Sequence, residues 1–196
     1  MDKEDGIFMK IMKQKIKLLC PQLIFLIVTF CIFMPSSLFL GNIDQFAVGF
    51  AALIPLLMAA SLITAAVVIL IGLIVPKKIC NIYAAVIFGG ALAAYVQGNF
   101  LNPDFGVLNG RQIQWSQFKV NGIISTVVWI VLIVVPPVIV CFKKDIMTKI
   151  MKWGSLFLSS IQVVTLVVLI VSSKRSVDYS YVVTKNDEFA LSSQGN

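Results

Sequence analysis

Charged and apolar positions divide this chain cleanly. Residues 18–43, 45–76, 79–103, 120–142 and 153–173 contain no Asp, Glu, Lys or Arg, and each run exceeds the roughly 20 residues that a helix rising ~1.5 Å per residue needs to cross ~30 Å of hydrocarbon. A membrane β-barrel would instead show alternating blocks of about 10 residues, and these are missing. In lipid, backbone N–H and C=O groups must pair within the protein, so spans of this length are helices. The pattern predicts an all-α membrane protein, a bundle of five transmembrane helices over about 18–40, 55–75, 79–97, 122–142 and 153–173.

Proline and small residues refine the helices. Pro55 suits the first turn of the second helix, where a missing N–H leaves no bond unmade, and residues 45–54 are expected at the outer interface. Pro136 and Pro137 fall too early to end the fourth helix, which must continue past them and is expected to kink near its cytoplasmic end. Pro35, followed by Ser36 and Ser37, is expected to bend the outer end of the first helix. Small residues recur in the second run (Ala59, Ala60, Ala65, Ala66, Gly72) and the third (Ala84, Ala85, Gly89, Gly90, Ala93, Ala94). Such residues let backbones approach closely, which predicts a tightly packed hairpin of helices two and three across the turn at residues 76–81.

Lysine placement supplies an orientation. Residues 1–17, the gap between runs two and three and the gap between runs four and five hold eleven lysines; the opposite side holds Arg111, Lys119, Lys174, Arg175 and Lys185. The positive-inside bias therefore predicts a cytoplasmic N-terminus and an extracytoplasmic C-terminus in a multi-pass cell-membrane protein. The domain layout follows: a basic cytoplasmic segment over 1–17, a transmembrane domain over 18–173, an extracytoplasmic loop over 98–121 and an extracytoplasmic tail over 174–196. A cleavable signal peptide is not expected, because the first apolar run is far longer than a 7–15-residue signal core and lacks a small-residue cleavage site.

Composition agrees, with 59% hydrophobic and 13% charged residues, well outside the balance of a soluble domain. The net charge of +7 is accounted for by lysines facing an anionic leaflet, so the lipid bilayer is the expected partner and nucleic acid is not. Four cysteines (Cys20, Cys31, Cys80, Cys141) form no CxxC pair, and there is no histidine; no metal or other cofactor is expected in this chain. Ionisable groups, which ion-coupled transporters usually hold inside the membrane, are absent from the predicted spans. The polar residues Thr29, Ser61, Thr64, Ser125, Thr126, Gln162 and Thr165 are expected to serve helix packing.

The longest predicted extracytoplasmic loop is the most specific stretch. Gly98-Asn99-Phe100-Leu101-Asn102 is followed by Gly106-Val107-Leu108-Asn109-Gly110 and by Trp115-Ser116. Asn-Gly is a strong turn signal, and Trp115 suits an interfacial anchor. Asn99, Asn102, Asp104, Asn109, Arg111 and Trp115 form a candidate outer-loop surface, in which Asp104 and Arg111 read most simply as a solvated pair. These segments, with the 35–42 stretch, resemble the N-terminal membrane region of bacterial membrane-anchored sulfatase-like proteins of the alkaline phosphatase superfamily.

The resemblance implies several helices that precede an extracytoplasmic catalytic domain hydrolysing or transferring sulfate or phosphate esters, often on cell-envelope polymers. In that family a tail like residues 191–196 leads into a core strand that ends in a metal-binding carboxylate near the nucleophile. Those positions fall beyond Asn196, so no catalytic residue is assigned, and a divalent metal belongs only to the catalytic domain. Independently, Val177, Tyr179, Tyr181 and Val183 alternate with Asp178 and Ser180, a strand pattern; a lone strand needs partners, so the tail is expected either to be disordered or to enter a domain that these residues do not include. The expected function is membrane anchoring of a sulfatase-like hydrolase or transferase; the alternatives are a small transporter or lipid flippase acting as an oligomer, with Pro136–Pro137 as a gate, and a scaffold without a ligand.

Overall fold

A computed structural model describes residues 2–42, 49–102 and 118–173. Among them are five helices long and apolar enough to cross a membrane, Met9–Gly41, Phe50–Ile74, Cys80–Leu101, Lys119–Phe142 and Lys144–Ser173. In the first span, α1 (Asp2–Leu26) passes into a wide π-helical segment (Ile27–Phe33) and then α2 (Met34–Gly41). A 3₁₀ turn (Phe50–Leu53) leads into α3 (Ile54–Ile74). The third span is α4 (Cys80–Val96) with a π-helical end (Gln97–Leu101), and the last two are α5 (Lys119–Phe142) and α6 (Lys144–Ser173).

Pro55 lies in the first turn of α3 as expected. Three boundaries differ. The first helix reaches back to Asp2 instead of starting at 18, so the basic segment over 1–17 is largely helical; the fifth starts at Lys144 instead of 153. Hydropathy marks where hydrocarbon begins, but lysine, methionine and glutamine are good helix formers and carry both helices past that limit. The loop expected over 98–121 is also shortened, because Gln97–Leu101 continues the third helix and Lys119 already belongs to α5. The tail over 174–196 lies outside the described residues.

The helices are arranged around the first span, which packs against α3, α4 and α6, while α5 lies chiefly on α4. Phe25 is fully buried beside Phe88 and Tyr95, with ring centroids 6.2 and 6.3 Å away, in a core with Ala85, Ala91, Val140, Met147 and Met151. A second cluster joins Leu19, Val68, Ala84 and Ile87. Lys15 fixes the first span to α3: its Nζ donates to the Leu73 carbonyl at 2.8 Å and the Val75 carbonyl at 2.7 Å. This ammonium meets the last carbonyls of α3, where the helix dipole favours a cation.

The predicted hairpin of small residues is corrected. α3 and α4 meet only near their connecting turn, where the Tyr83 hydroxyl donates to the Val68 carbonyl at 3.0 Å and Gly72 makes room for Leu19 of α1. The small residues of α4 face α1 and α5 instead, whereas Ala59 and Ala66 of α3 are exposed. Gly89 shows the reason. A Cβ there would run into the Leu132 carbonyl oxygen and lie 3.1 Å from Ile133 Cα. Leu132 stands four residues before Pro136, which has no N–H to offer that carbonyl. The glycine of α4 therefore approaches the stretch of α5 whose backbone oxygen lacks its helical donor, so closely that no side chain fits between them. α5 remains helical through both prolines.

Gly89→Ala is expected to push α4 from α5 and destabilise the bundle by about 1–3 kcal/mol. Gly90→Ala, where a Cβ meets nothing within 4 Å, should leave stability unchanged or slightly raised. Thermal unfolding of the two variants in one detergent checks the contrast.

Candidate functional site

The first span and α6 present their polar residues to each other. On the first span, Gln22, Thr29 and Ser36 recur every seven residues and are at most 1% exposed; on α6, Ser155, Ser159 and Gln162 are buried at helical spacing. The Thr29 hydroxyl donates to Gln162 Oε1 at 2.9 Å across the interface. The same offset of 133 residues that relates this pair also relates Gln22 to Ser155, which is the register of two packed helices that run in one direction. A hydrogen bond between spans is worth about 0.6–2 kcal/mol in a membrane.

Thr29 is held by an unusual backbone. The π-helical turns leave the Met34 N–H bonded to the Thr29 carbonyl, five residues back. Pro35 follows immediately, and in a regular helix its ring would crowd the carbonyl four residues earlier. Widening the preceding turns relieves that clash, so the bend expected from Pro35 takes the form of a π segment. Such segments occur often at functional positions.

Four buried polar atoms in this seam have no protein partner: Gln22 Oε1, Ser36 Oγ, Ser155 Oγ and Gln162 Nε2. Leaving each unpaired costs about 1–3 kcal/mol. The seam consists of neutral amides and hydroxyls, a chemistry that orients helices and holds uncharged polar groups. Beside Ser36, an apolar cavity of about 430 Å³ opens between the first span, α3 and α6, and Leu57, Ser61 and Leu166 line it. Cys31 lies within 3.4 Å of Thr64 Oγ1 and ties the first span to α3 at the same depth. Cys20 and Cys141 are exposed, Cys31 and Cys80 are buried, and all four are free. Among the described residues no group of acidic, histidine and cysteine side chains is placed to hold a metal.

Of the predicted loop surface, Asn99 and Asn102 are described. Both bond to their own helix end: Asn99 Nδ2 donates to the Tyr95 carbonyl at 2.7 Å, and Asn102 Oδ1 accepts from Gln97 Nε2 at 3.3 Å. Gln97 Oε1 accepts from Trp129 Nε1 of α5, also at 3.3 Å. The two asparagines thus finish the third span, and Gly98 and Asn102 line a cleft of about 490 Å³ together with Met34, Pro35 and Asn42 of the first span. Asp104, Asn109, Arg111 and Trp115 lie outside the described residues.

Gln22, Ser155 and Ser159 are absent from the intramembrane polar residues that hydropathy picks out, and Ser36 enters there only beside Pro35. The seven-residue repeat of Gln22, Thr29 and Ser36, set beside Ser155 and Gln162 at the same interval, is the signal that marks the seam. No protein-family model, curated protein or solved structure matches this chain.

Thr29→Val and Gln162→Leu are each expected to destabilise the bundle by about 1–2 kcal/mol. In the double variant the loss should fall short of the sum, because both single changes remove the same bond. Reversible unfolding in mixed micelles measures the coupling; strictly additive losses would show that the bond is not made in the membrane.

Proposed function

We propose that this chain is a multi-pass domain of the bacterial cell membrane that anchors and orients an extracytoplasmic sulfatase-like hydrolase or transferase acting on the cell envelope. The observation that carries the reading is the odd number of apolar helices combined with lysines gathered at alternate ends. An odd number of crossings sends the two ends of the chain to opposite compartments, and the lysine bias favours a cytoplasmic N-terminus. The assignment to a sulfatase-like parent rests on the sequence of the loop, Gly98 to Asn102, Gly106 to Gly110 and Trp115-Ser116. A platform suits the bundle. Lys15 on α3, Gly89 on α5 and Thr29 on Gln162 each fix one helix against another. In this reading the divalent metal and the envelope polymer are met by the catalytic domain, while the bilayer is the partner of the bundle.

A second reading, a small transporter or lipid flippase acting as an oligomer, is favoured by the π segment in mid-span and the unpartnered polar atoms beside it. Its gate would then lie in the first span, because α5 is unbroken at Pro136 and Pro137. Uptake of a labelled lipid or solute by liposomes holding the purified chain would favour this alternative.

Purified residues 1–196 with divalent metal are expected to show no turnover of aryl sulfate or aryl phosphate esters. A reporter phosphatase that lacks its own export signal should be active when fused after Asn196 and inactive when fused before Met1. Turnover by the chain alone, or activity of the N-terminal fusion, contradicts the proposal.

A further inference from the structure

The lysine-bearing end of the first span carries a groove that the anchoring role does not use. Lys13, Lys17, Cys20, Pro21 and Ile24 lie along one stripe of α1 at helical spacing and, with Leu156 of α6, enclose about 390 Å³. The stripe is graded. Its two lysines stand one turn apart at the end of the groove nearest the basic N-terminal segment, and the walls toward mid-membrane are aliphatic, with Ile24 still 40% exposed.

On α6, Lys152 precedes Leu156 by one turn and is exposed at the same margin, its ammonium 5.1 Å from the centre of the Trp153 ring. Asp145, the acidic residue of the first turn of α6, lies about 10 Å further along the helix. Lys13 and Lys17 thus stand where an apolar groove leaves the hydrocarbon, with Lys152 one turn before the groove's Leu156 on α6.

Charge complementarity selects the occupant. We propose that this groove between α1 and α6 is a binding site for an anionic phospholipid, whose phosphate meets Lys13 and Lys17 while one acyl chain lies along Pro21, Ile24 and Leu156. A zwitterionic phospholipid fits the same walls but brings its own cation to the lysines, so the site discriminates by headgroup. Each lysine close to an anionic lipid surface favours binding by about fivefold. The site stands apart from the anchoring proposal, since it requires only the membrane-spanning bundle.

Trp153, 65% exposed beside the groove, is the reporter. In a Trp115→Phe, Trp129→Phe background, reconstituted into phosphatidylcholine vesicles, Trp153 fluorescence should be quenched several-fold more efficiently by chain-brominated phosphatidylglycerol than by chain-brominated phosphatidylcholine at equal mole fraction. Lys13→Gln with Lys17→Gln should abolish that preference, whereas Lys77→Gln with Lys78→Gln, which removes the same charge elsewhere on this end, should preserve it. Native mass spectrometry of the chain with its tryptophans intact gives a second measure, in which retained phosphatidylglycerol falls about fivefold per lysine removed from the groove. Equal quenching by the two brominated lipids, or an equal loss in both double variants, overturns the proposal; the latter would mean that the charge acts diffusely.

Discussion

Hydrocarbon offers no hydrogen-bond partner, and the internal order of this bundle follows from where its polar groups find one within the protein. Backbone groups pair within helices. Hydroxyls turn back on their own helix: Ser61 donates to Leu57, Thr126 to Gly122, Ser159 to Ser155 and Thr165 to Ile161, each at 2.7–2.9 Å. Where a helix cannot pair its own carbonyl, a neighbour is brought close, as Gly89 of α4 is to Leu132 beneath Pro136. Where a side chain is too long to turn back, as with Gln162, another span supplies the donor.

These devices set the arrangement more than sequence order does. α3 and α4 are joined by a short turn, yet α3 is held mainly through the first span, by Lys15 at one end and by Leu19 against Gly72. Dispersion between helices in lipid depends on how closely backbones approach, and the small face of α4 finds its closest approach on α5. The first span, with α3, α4 and α6 around it, is the axis of the fold. It also bears the π segment, the polar seam and the lysine-topped groove beside α6.

The five spans were legible in the sequence because the absence of charge over a hydrocarbon length is a one-dimensional signal. Pro55 at the start of α3 was legible for the same reason, being a local rule about a missing N–H. Helix ends at Asp2 and Lys144 were not, since a lysine-rich helix continues into water without a change in hydropathy. Partner choice was not legible either: Gly89 and Gly90 look alike in the sequence, and only the position of Leu132 separates a contact from open space. Thr29 and Gln162 were recognised as intramembrane polar residues, but their pairing needed the register between two helices far apart in the chain. Asn99 and Asn102, picked as loop surface, are exposed and bond to their own helix end.

The central claim is that the chain crosses the bilayer five times and exposes alternate ends of the bundle to opposite compartments. Single cysteines at Asn102 and Asp145, in a background without Cys20, Cys31, Cys80 and Cys141, test it most directly through a membrane-impermeant maleimide applied to intact cells. The account predicts labelling of Asn102→Cys from outside and of Asp145→Cys only after permeabilisation. Labelling of both from the same side would contradict it.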